Sequence, residues 1–334
     1  MARDLAPTVA EVLVEGDLLG HDTHGLALLP AYLSQLDSGD MTRSGEPSVL
    51  SDHCTVAVWD GLWLPGPWLV VRALDEATRR ARQFGVSIIA IRRSHHIACL
   101  QAYLQHITEQ NLMAFVSCSD PSGATVAPFG SVDPVFQPDP FAVGIPTDGD
   151  PILIDTSSSI TSNSMIARTA AEGGRLPGKW VQDAQGNASD DPSVVDATPP
   201  GTLLLTGGQD HGHKGMSMAL IVESMAFGLS GYGRANPEQR WGASVLVQVI
   251  DPDLFTGFDS FVEQSGDLSR RVRDARPRVG NNAARLPGER ALANKRSALE
   301  GGLRLPPGIA EELNMLATTF GVRPVMPIVG SEGR

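Results

Sequence analysis

The sequence predicts an α/β fold, and two observations carry that prediction. From Val70 to Phe84 apolar residues recur at helical spacing (Val71, Leu74, Ala77, Ala81, Phe84), Gly85 stops the helix, and the apolar run Val86 to Ile91 follows as a buried-type strand. The pattern then repeats. Arg92-Arg93-Ser94-His95-His96 leads into a helix from about Ala98 to Gln110, and Leu112 to Cys118 reads as a second strand. In α/β sheets ligand sites gather at strand ends, which here are His95-His96 and Ser119-Asp120.

The remaining elements follow in order. Leu13, Val14, Leu18 and Leu19 before Gly20, and Leu29, Tyr32, Leu33 and Leu36 before Ser38-Gly39, predict two short helices flanking a pair of histidines. Pro151 to Asp155 and Ser244 to Ile250 are further strand candidates. Between them, Leu176 to Gly212 is rich in Gly, Pro, Asp and Ser and reads as a long functional surface loop. A helix opens at Gly212-His213-Lys214-Gly215 and runs to about Leu229. Arg270 to Arg278 reads as a solvated arginine-rich stretch, Asn281 to Gly288 as a loop, and Ile309 to Phe320 as the last helix. No internal repeat or low-complexity segment interrupts this order.

Composition removes several function classes. With 26 basic against 38 acidic residues the net charge is −12, and no basic run offsets it, so neither nucleic acid nor a polybasic membrane surface is an expected partner. The longest apolar stretch, Met216 to Leu229, is broken by Glu223 and Ser224 and is too short to span a bilayer. Three cysteines with no C-x-x-C pair indicate neither a disulfide framework nor a structural zinc site; reduced thiols in a cytoplasmic protein are expected. The dinucleotide fingerprint G-x-G-x-x-G is missing after any early strand, as are the P-loop, the G-x-S-x-G elbow and H-E-x-x-H. An ordinary Rossmann enzyme is not expected.

Six of the eight histidines fall in three groups: His21 with His24, His95 with His96, and His211 with His213. Imidazole can accept, donate or ligate near neutral pH, so three groups suggest one folded-up polar site. On a helix, His21 and His24 would share a face beside Asp22, which leaves a metal site open; a capping role for Asp22-Thr23 is the alternative. One of His95 and His96 is expected to face the site as a general acid or base while the other packs. Asp120 and Asp183 are carboxylates that could orient such a ring, against the plainer reading of solvated loop aspartates. Gly212 to Gly215 would offer free helix N–H groups with Lys214 above them, a natural anion site, or simply a surface lysine after a turn.

Taken in order, Thr23-His24-Gly25, Pro30 and Tyr32, Ser94-x-His96, Ala127-Pro128-Phe129-Gly130, Pro140-Phe141-Ala142 and Ile145-Pro146 resemble the type-2 malate/L-lactate dehydrogenase family. So do Leu176-Pro177-Gly178-x-Trp180-x-x-Asp183-x-x-Gly186, Asp190-Asp191-Pro192, Gly207-Gly208, His213-Lys214-Gly215 and Leu286-Pro287-Gly288-Glu289. The resemblance runs from about residue 8 to residue 320. It implies a non-Rossmann nicotinamide-binding domain with a mixed sheet and flanking helices, residues 65–290, plus a mainly helical domain from the two chain ends, 1–64 with 291–334. The chain starts almost inside its first helix, so an N-terminal segment of longer relatives is expected to be missing.

What the resemblance implies for chemistry is an oxidoreductase using NAD or NADP on a small 2-hydroxy or 2-oxo acid, acting as a homodimer. In its terms His96 is the proton acceptor of the hydroxy-acid branch, and His24 with Asp183 the acid of the branch that reduces cyclic imines. Ser119, Asp155-Thr156-Ser157, Lys214 and the loop with Gly288 and Glu289 fall on cofactor-binding positions, and Tyr32 on a substrate-side tyrosine. Two family cations are replaced, by Leu28 and Met165, and the family's threonine-asparagine pair is Pro138-Asp139. Arg168 and Arg175 are therefore the candidates for holding the acid group. Two other classes stay open: a metal-dependent hydrolase or lyase built on the histidine clusters, and a family member that binds without efficient turnover.

Overall fold

The computed structural model describes residues 1–326. The first two helices, α1 (Ala6–Leu18) and α2 (Leu29–Ser38), are followed by strands β1 (Ser48–Asp52) and β2 (Val56–Asp60), helix α3 (Gly66–Phe84) and strand β3 (Val86–Ser94). A 3-10 turn (Leu100–Tyr103) and short helix α4 (Leu104–Thr108) lead to β4 (Met113–Ser119), β5 (Pro140–Ile145), β6 (Ile152–Ser157) and α5 (Asn163–Ala171). Three two-residue strands follow, β7 (Val181–Gln182), β8 (Ala188–Ser189) and β9 (Thr202–Leu203), then α6 (Gly208–His211) and α7 (His213–Glu223). Strand β10 (Ala243–Ile250) and helices α8 (Phe258–Asp274), α9 (Glu289–Gly301) and α10 (Ile309–Phe320) complete the described chain.

The α/β expectation holds, as a mixed sheet with flanking helices. Seven strands lie in the order β1-β2-β3-β10-β4-β5-β6, and all neighbours are antiparallel except β2 and β3. The expected βα alternation is therefore not a pair of adjacent parallel strands. β3 and β4 run the same way, but β10, more than a hundred residues later, inserts between them and pairs antiparallel with both. Helix α3 buries Leu69, Ala73, Ala77 and Ala81 in the same core as Ile89, Ile91, Val245, Val247 and Val249. That core continues into α1 and its N-cap (Leu5, Val9, Leu13), α2 (Tyr32, Leu36) and α9 (Leu292), so the chain-end helices share it. A smaller core gathers Val126, Phe136, Ile166, Val181, Leu203 and Ala219 around the three-stranded sheet β8-β7-β9.

Four local expectations are corrected. The stretch 98–110 is not one helix, because Ala98 sits at φ +59 and a 3-10 turn precedes α4. The tract 176–212 carries the small sheet and is only partly loop. The arginines at 270, 271 and 273 belong to α8, whose buried positions are the small residues Ser265, Gly266 and Ser269, so apolar periodicity could not reveal it. The helix at Gly212 begins a turn earlier, as α6, and α7 ends in a π turn over Ser224–Gly228.

Candidate active site

Strand direction decides where the site forms. The register pairs Ala243 with Ser94, Ser244 with Ser119, and Pro140 with Ser157. Five strand ends thus meet at one sheet edge: the C-terminal ends of β3, β4 and β6 and the starts of β5 and β10. Beside them the turn after α1 brings in residues 20–24, and a cavity of about 630 Å³ opens between these segments. Three residues at or next to that edge, Arg93, Ala98 and Asp139, hold left-handed backbone at φ +51, +59 and +47. Such conformations persist only where the surroundings enforce them.

His96 is the most constrained group lining the cavity. Its Nδ1 lies 2.9 Å from the Tyr32 hydroxyl, which is also 2.9 Å from the His96 carbonyl, and Ala98 N–H reaches the same Nδ1 at 3.3 Å. The indole of Trp241 stacks on the ring at 4.7 Å with 28° between planes. Burial, with His24 and His95 nearby, holds its pKa well below the usual imidazole range. It is therefore neutral at physiological pH, and among the described residues its Nε2 has no hydrogen-bond partner. His95 is the packing member of the pair: fully buried, wedged edge-on against Tyr32 and Trp241, and pushed down to about 4 by burial.

His24 faces His96 across the cavity wall, with ring centroids 6.1 Å apart. It does not share a helix face with His21, because α1 ends at Leu18 and a turn follows. Buried Asp17 shapes this turn by accepting Leu26 N–H at 2.8 Å, and Gly25 is required because any Cβ there would strike the Asp17 carboxylate. Thr23 Oγ1 lies 2.8 Å from His24 Nδ1, and burial lowers the His24 pKa to about 4. His21 turns the other way, to Gln101 Oε1 at 2.8 Å.

Polar groups from the strand ends line the rest of the cavity: Ser119, Asp139, Asp155, Thr156 and Ser157. Ser119 Oγ donates to Asp139 Oδ1 at 2.6 Å, while Asp139 Oδ2 is buried without a partner. Burial and the Glu223 carboxylate push Asp139 up to about 8, so this carboxyl is largely protonated at neutral pH. Asp155 accepts Gln101 N–H at 2.9 Å, and burial raises its pKa as well. Arg168 lines the cavity, paired with Asp22 at 3.0 Å, as do Leu28 and Met165, so both replaced cation positions face the same space. Asp120 also lines it, but its carboxylate accepts from Ser122 N–H and Oγ and so shapes its own turn.

Other sequence candidates lie elsewhere. Asp183 is not brought to His24 within the chain; its carboxylate accepts from Gln185 and Asn187 in its own exposed loop. Lys214 is exposed on α7 outside the cavity, and the expected anion site is partly consumed because Gly215 and Met216 N–H already donate to Thr206 and Gly212 carbonyls. Gly288, at φ +94, packs against the Leu153 backbone, and Glu289 accepts from Arg273 and Leu286 N–H. Tyr32 stands behind His96 rather than beside the ligand space, and Arg175 pairs with Asp190 and Asp191 at the surface. His211 and His213 sit with each other and Phe129, away from the cavity.

Sequence reasoning missed Trp241 and gave Asp139 no role. Both become visible only once β10 and β5 are placed, since each immediately precedes a strand that starts at the site edge or lies one residue from it. Gln101, which holds His21 and Asp155, is likewise hidden inside a stretch that reads as helix.

Comparison with known proteins identifies the family. A family model described as malate/L-lactate dehydrogenase matches residues 1–314. The chain is 30% identical over 327 residues to an L-lactate dehydrogenase of Cupriavidus necator, covering 96% of this chain and 92% of that one. It is 32% identical over 329 residues to a Delta(1)-pyrroline-2-carboxylate/Delta(1)-piperideine-2-carboxylate reductase of Pseudomonas syringae pv. tomato, covering 93% and 90%. Among solved structures, malate dehydrogenase from Entamoeba histolytica shares the fold at a TM-score of 0.91 and 21% identity, over 97% of this chain and 94% of that one. On these matches the chain belongs to the malate/L-lactate dehydrogenase family and is a nicotinamide-dependent dehydrogenase of that type.

Proposed function

We propose that the protein moves a hydride between C2 of a small 2-hydroxy or 2-oxo acid and a nicotinamide cofactor, with His96 exchanging the hydroxyl proton. The observation that carries this reading is the neutral His96 ring in the cavity wall, held on one nitrogen and free on the other. The Tyr32 hydroxyl has one proton and two partners at 2.9 Å, and only one assignment satisfies both: it donates to the His96 carbonyl and accepts from Nδ1–H. The longer Ala98 contact favours the other tautomer, and the two shorter bonds outweigh it. The lone pair then lies on Nε2, as a base requires when alkoxide character builds at C2.

The residues present fit a nicotinamide. The cavity volume is in the range of small-ligand sites, Ser119, Asp155, Thr156 and Ser157 supply polar contacts, and buried Asp139 Oδ2 is an unmatched polar atom at its wall. When bound, NAD or NADP supplies the hydride acceptor or donor. Arg168 is the cation available for the substrate carboxylate, and with Leu28 and Met165 in the same wall a monocarboxylate is the better match. The exposed Leu220, Ile221 and Leu229 support a homodimer, and the reduced Cys54, Cys99 and Cys118 a cytoplasmic location. We read the helices α1, α2 and α9 of the two chain ends as one helical unit, tied by Lys295 to Glu15 at 2.6 Å, while β1 and β2 of the 1–64 segment belong to the sheet of the 65–290 body.

A second reading is favoured by the 32% identical reductase: reduction of a cyclic imine carboxylate, with His24 as proton donor. Asp183 cannot assist within the chain, and Thr23 is the partner that the structure gives His24. Assay of 2-hydroxy acids and cyclic imines with both cofactors separates the two. His96→Ala should lower hydroxy-acid kcat/KM by about 10²–10⁴-fold while cofactor still raises Tm. Full activity in that variant would end the assignment.

A further inference from the structure

We propose that His21, Cys99 and Asp155 form a site for a soft divalent cation such as Zn²⁺ in the cavity wall, and that its occupation excludes the nicotinamide cofactor. A ring nitrogen of His21, the Cys99 sulfur and an Asp155 carboxylate oxygen all lie within 4.8 Å of one another. Among the described residues no other three such groups lie so close. Ligands at 2.0–2.3 Å from a tetrahedral zinc are about 3.3–3.8 Å apart, so the set closes with shifts of about 1 Å. One imidazole, one thiolate and one carboxylate form a donor set suited to zinc, and the adjoining cavity leaves the fourth position open.

The surroundings are those of a built ligand set. Gln101 Nε2 donates to the Leu153 carbonyl at 2.7 Å, so its Oε1 is the acceptor for His21 Nε2–H. That bond fixes the ring and leaves the lone pair on Nδ1, the arrangement that orients metal-binding histidines. Gln101 N–H also holds Asp155 Oδ2, which stands 4.0 Å from Cys99 Sγ. One residue thus positions two of the three donors. Cys99 is buried and carries its proton; coordination would release that proton to solvent and leave a thiolate on the metal. No reductant or oxidant enters the step.

Exclusion of the cofactor rests on the proposed function, because Asp155 belongs to its polar wall; cation binding does not. The test therefore has two parts. Titration of chelator-treated protein with Co²⁺ should give visible d–d bands and a near-ultraviolet thiolate-to-cobalt charge-transfer band. Cys99→Ala, which keeps the Cβ, should abolish the charge-transfer band, His21→Gln should weaken Co²⁺ affinity at least tenfold, and a Cys54→Ala control should change neither. In turnover assays Zn²⁺ should raise the apparent KM for cofactor, and Cys99→Ala should keep basal activity with at least tenfold lower zinc sensitivity. Absence of the band, or its persistence in Cys99→Ala, overturns the site. Lack of turnover on every acid and imine would sink the functional reading while leaving the spectrum to decide the cation site.

Discussion

The stability of the protein should depend on one proton held by Asp139. The side chain is fully buried, and desolvation together with the Glu223 carboxylate lifts its pKa from 3.8 to about 8, while Ser119 and Arg234 pull the other way. Between those values the folded state keeps a proton that the unfolded chain has released, so stability falls as pH rises through this window and the loss is complete above pH 8. At about 1.36 kcal/mol per unit, raising the pH from roughly 6.5 to 8 should remove about 2 kcal/mol through this group. The lowered histidines, His24 and His95 at about 4 and His96 well below the usual range, titrate beneath that interval. Asp139→Asn has no proton to lose, and its Oδ1 can still accept from Ser119. Urea unfolding of both proteins at the two pH values, at fixed ionic strength, should show the wild type losing about 2 kcal/mol more than the variant, equivalent to roughly 3 °C in Tm. Parallel pH dependence in the two proteins would refute the buried-acid argument.

Tyr32→Phe removes the hydroxyl that fixes His96 and leaves two buried acceptor or donor groups short, at about 1–3 kcal/mol. If that cost falls on the positioned ring, kcat/KM should drop about 10–100-fold and its pH profile should shift; a lower Tm with an unchanged profile would mean that Tyr32 is only packing. Gly66→Ala would drive a Cβ into the backbone carbonyls of His95 and His96. At least a tenfold loss of kcat is expected, and wild-type kinetics would show that the His95-His96 backbone tolerates displacement. Leu28→Arg returns a guanidinium to the cavity, where it can grip a second carboxylate. KM for a dicarboxylic hydroxy acid should fall relative to a monocarboxylic one, and an unchanged ratio would place the acid group away from Leu28.

How far the sequence could be read depended on whether an element hides its apolar face in a regular pattern. α3, β3, β4 and β10 were legible because Leu74, Ala77 and Ala81, or runs such as Ile88-Ile89-Ala90-Ile91, face the core at the period of their structure. β5 was not, because Pro140 and Gly144 interrupt it, and its pairing partners on both sides supply the order its own residues do not signal. β1 lies at the sheet edge and is largely exposed. α9 buries only Ala291 and Leu292. In the site, His24 and His96 could be picked out because each sits at the end of a recognisable element. Whether Asp183 or Lys214 meets them is a matter of long-range loop placement, which local pattern does not encode.

The insertion of β10 between β3 and β4 also sets when in its synthesis the chain can become an enzyme. A ribosome that has released residues 1–240 has already exposed both histidine turns, the serine and aspartate wall and the helices beneath them. Yet β3 and β4 then have no common partner, and the Trp241 ring that stacks on His96 has not been added. Contacts of such high sequence separation form slowly because a long loop must close first. The open edges of β3 and β4 are therefore the surfaces through which a nascent or truncated chain would aggregate.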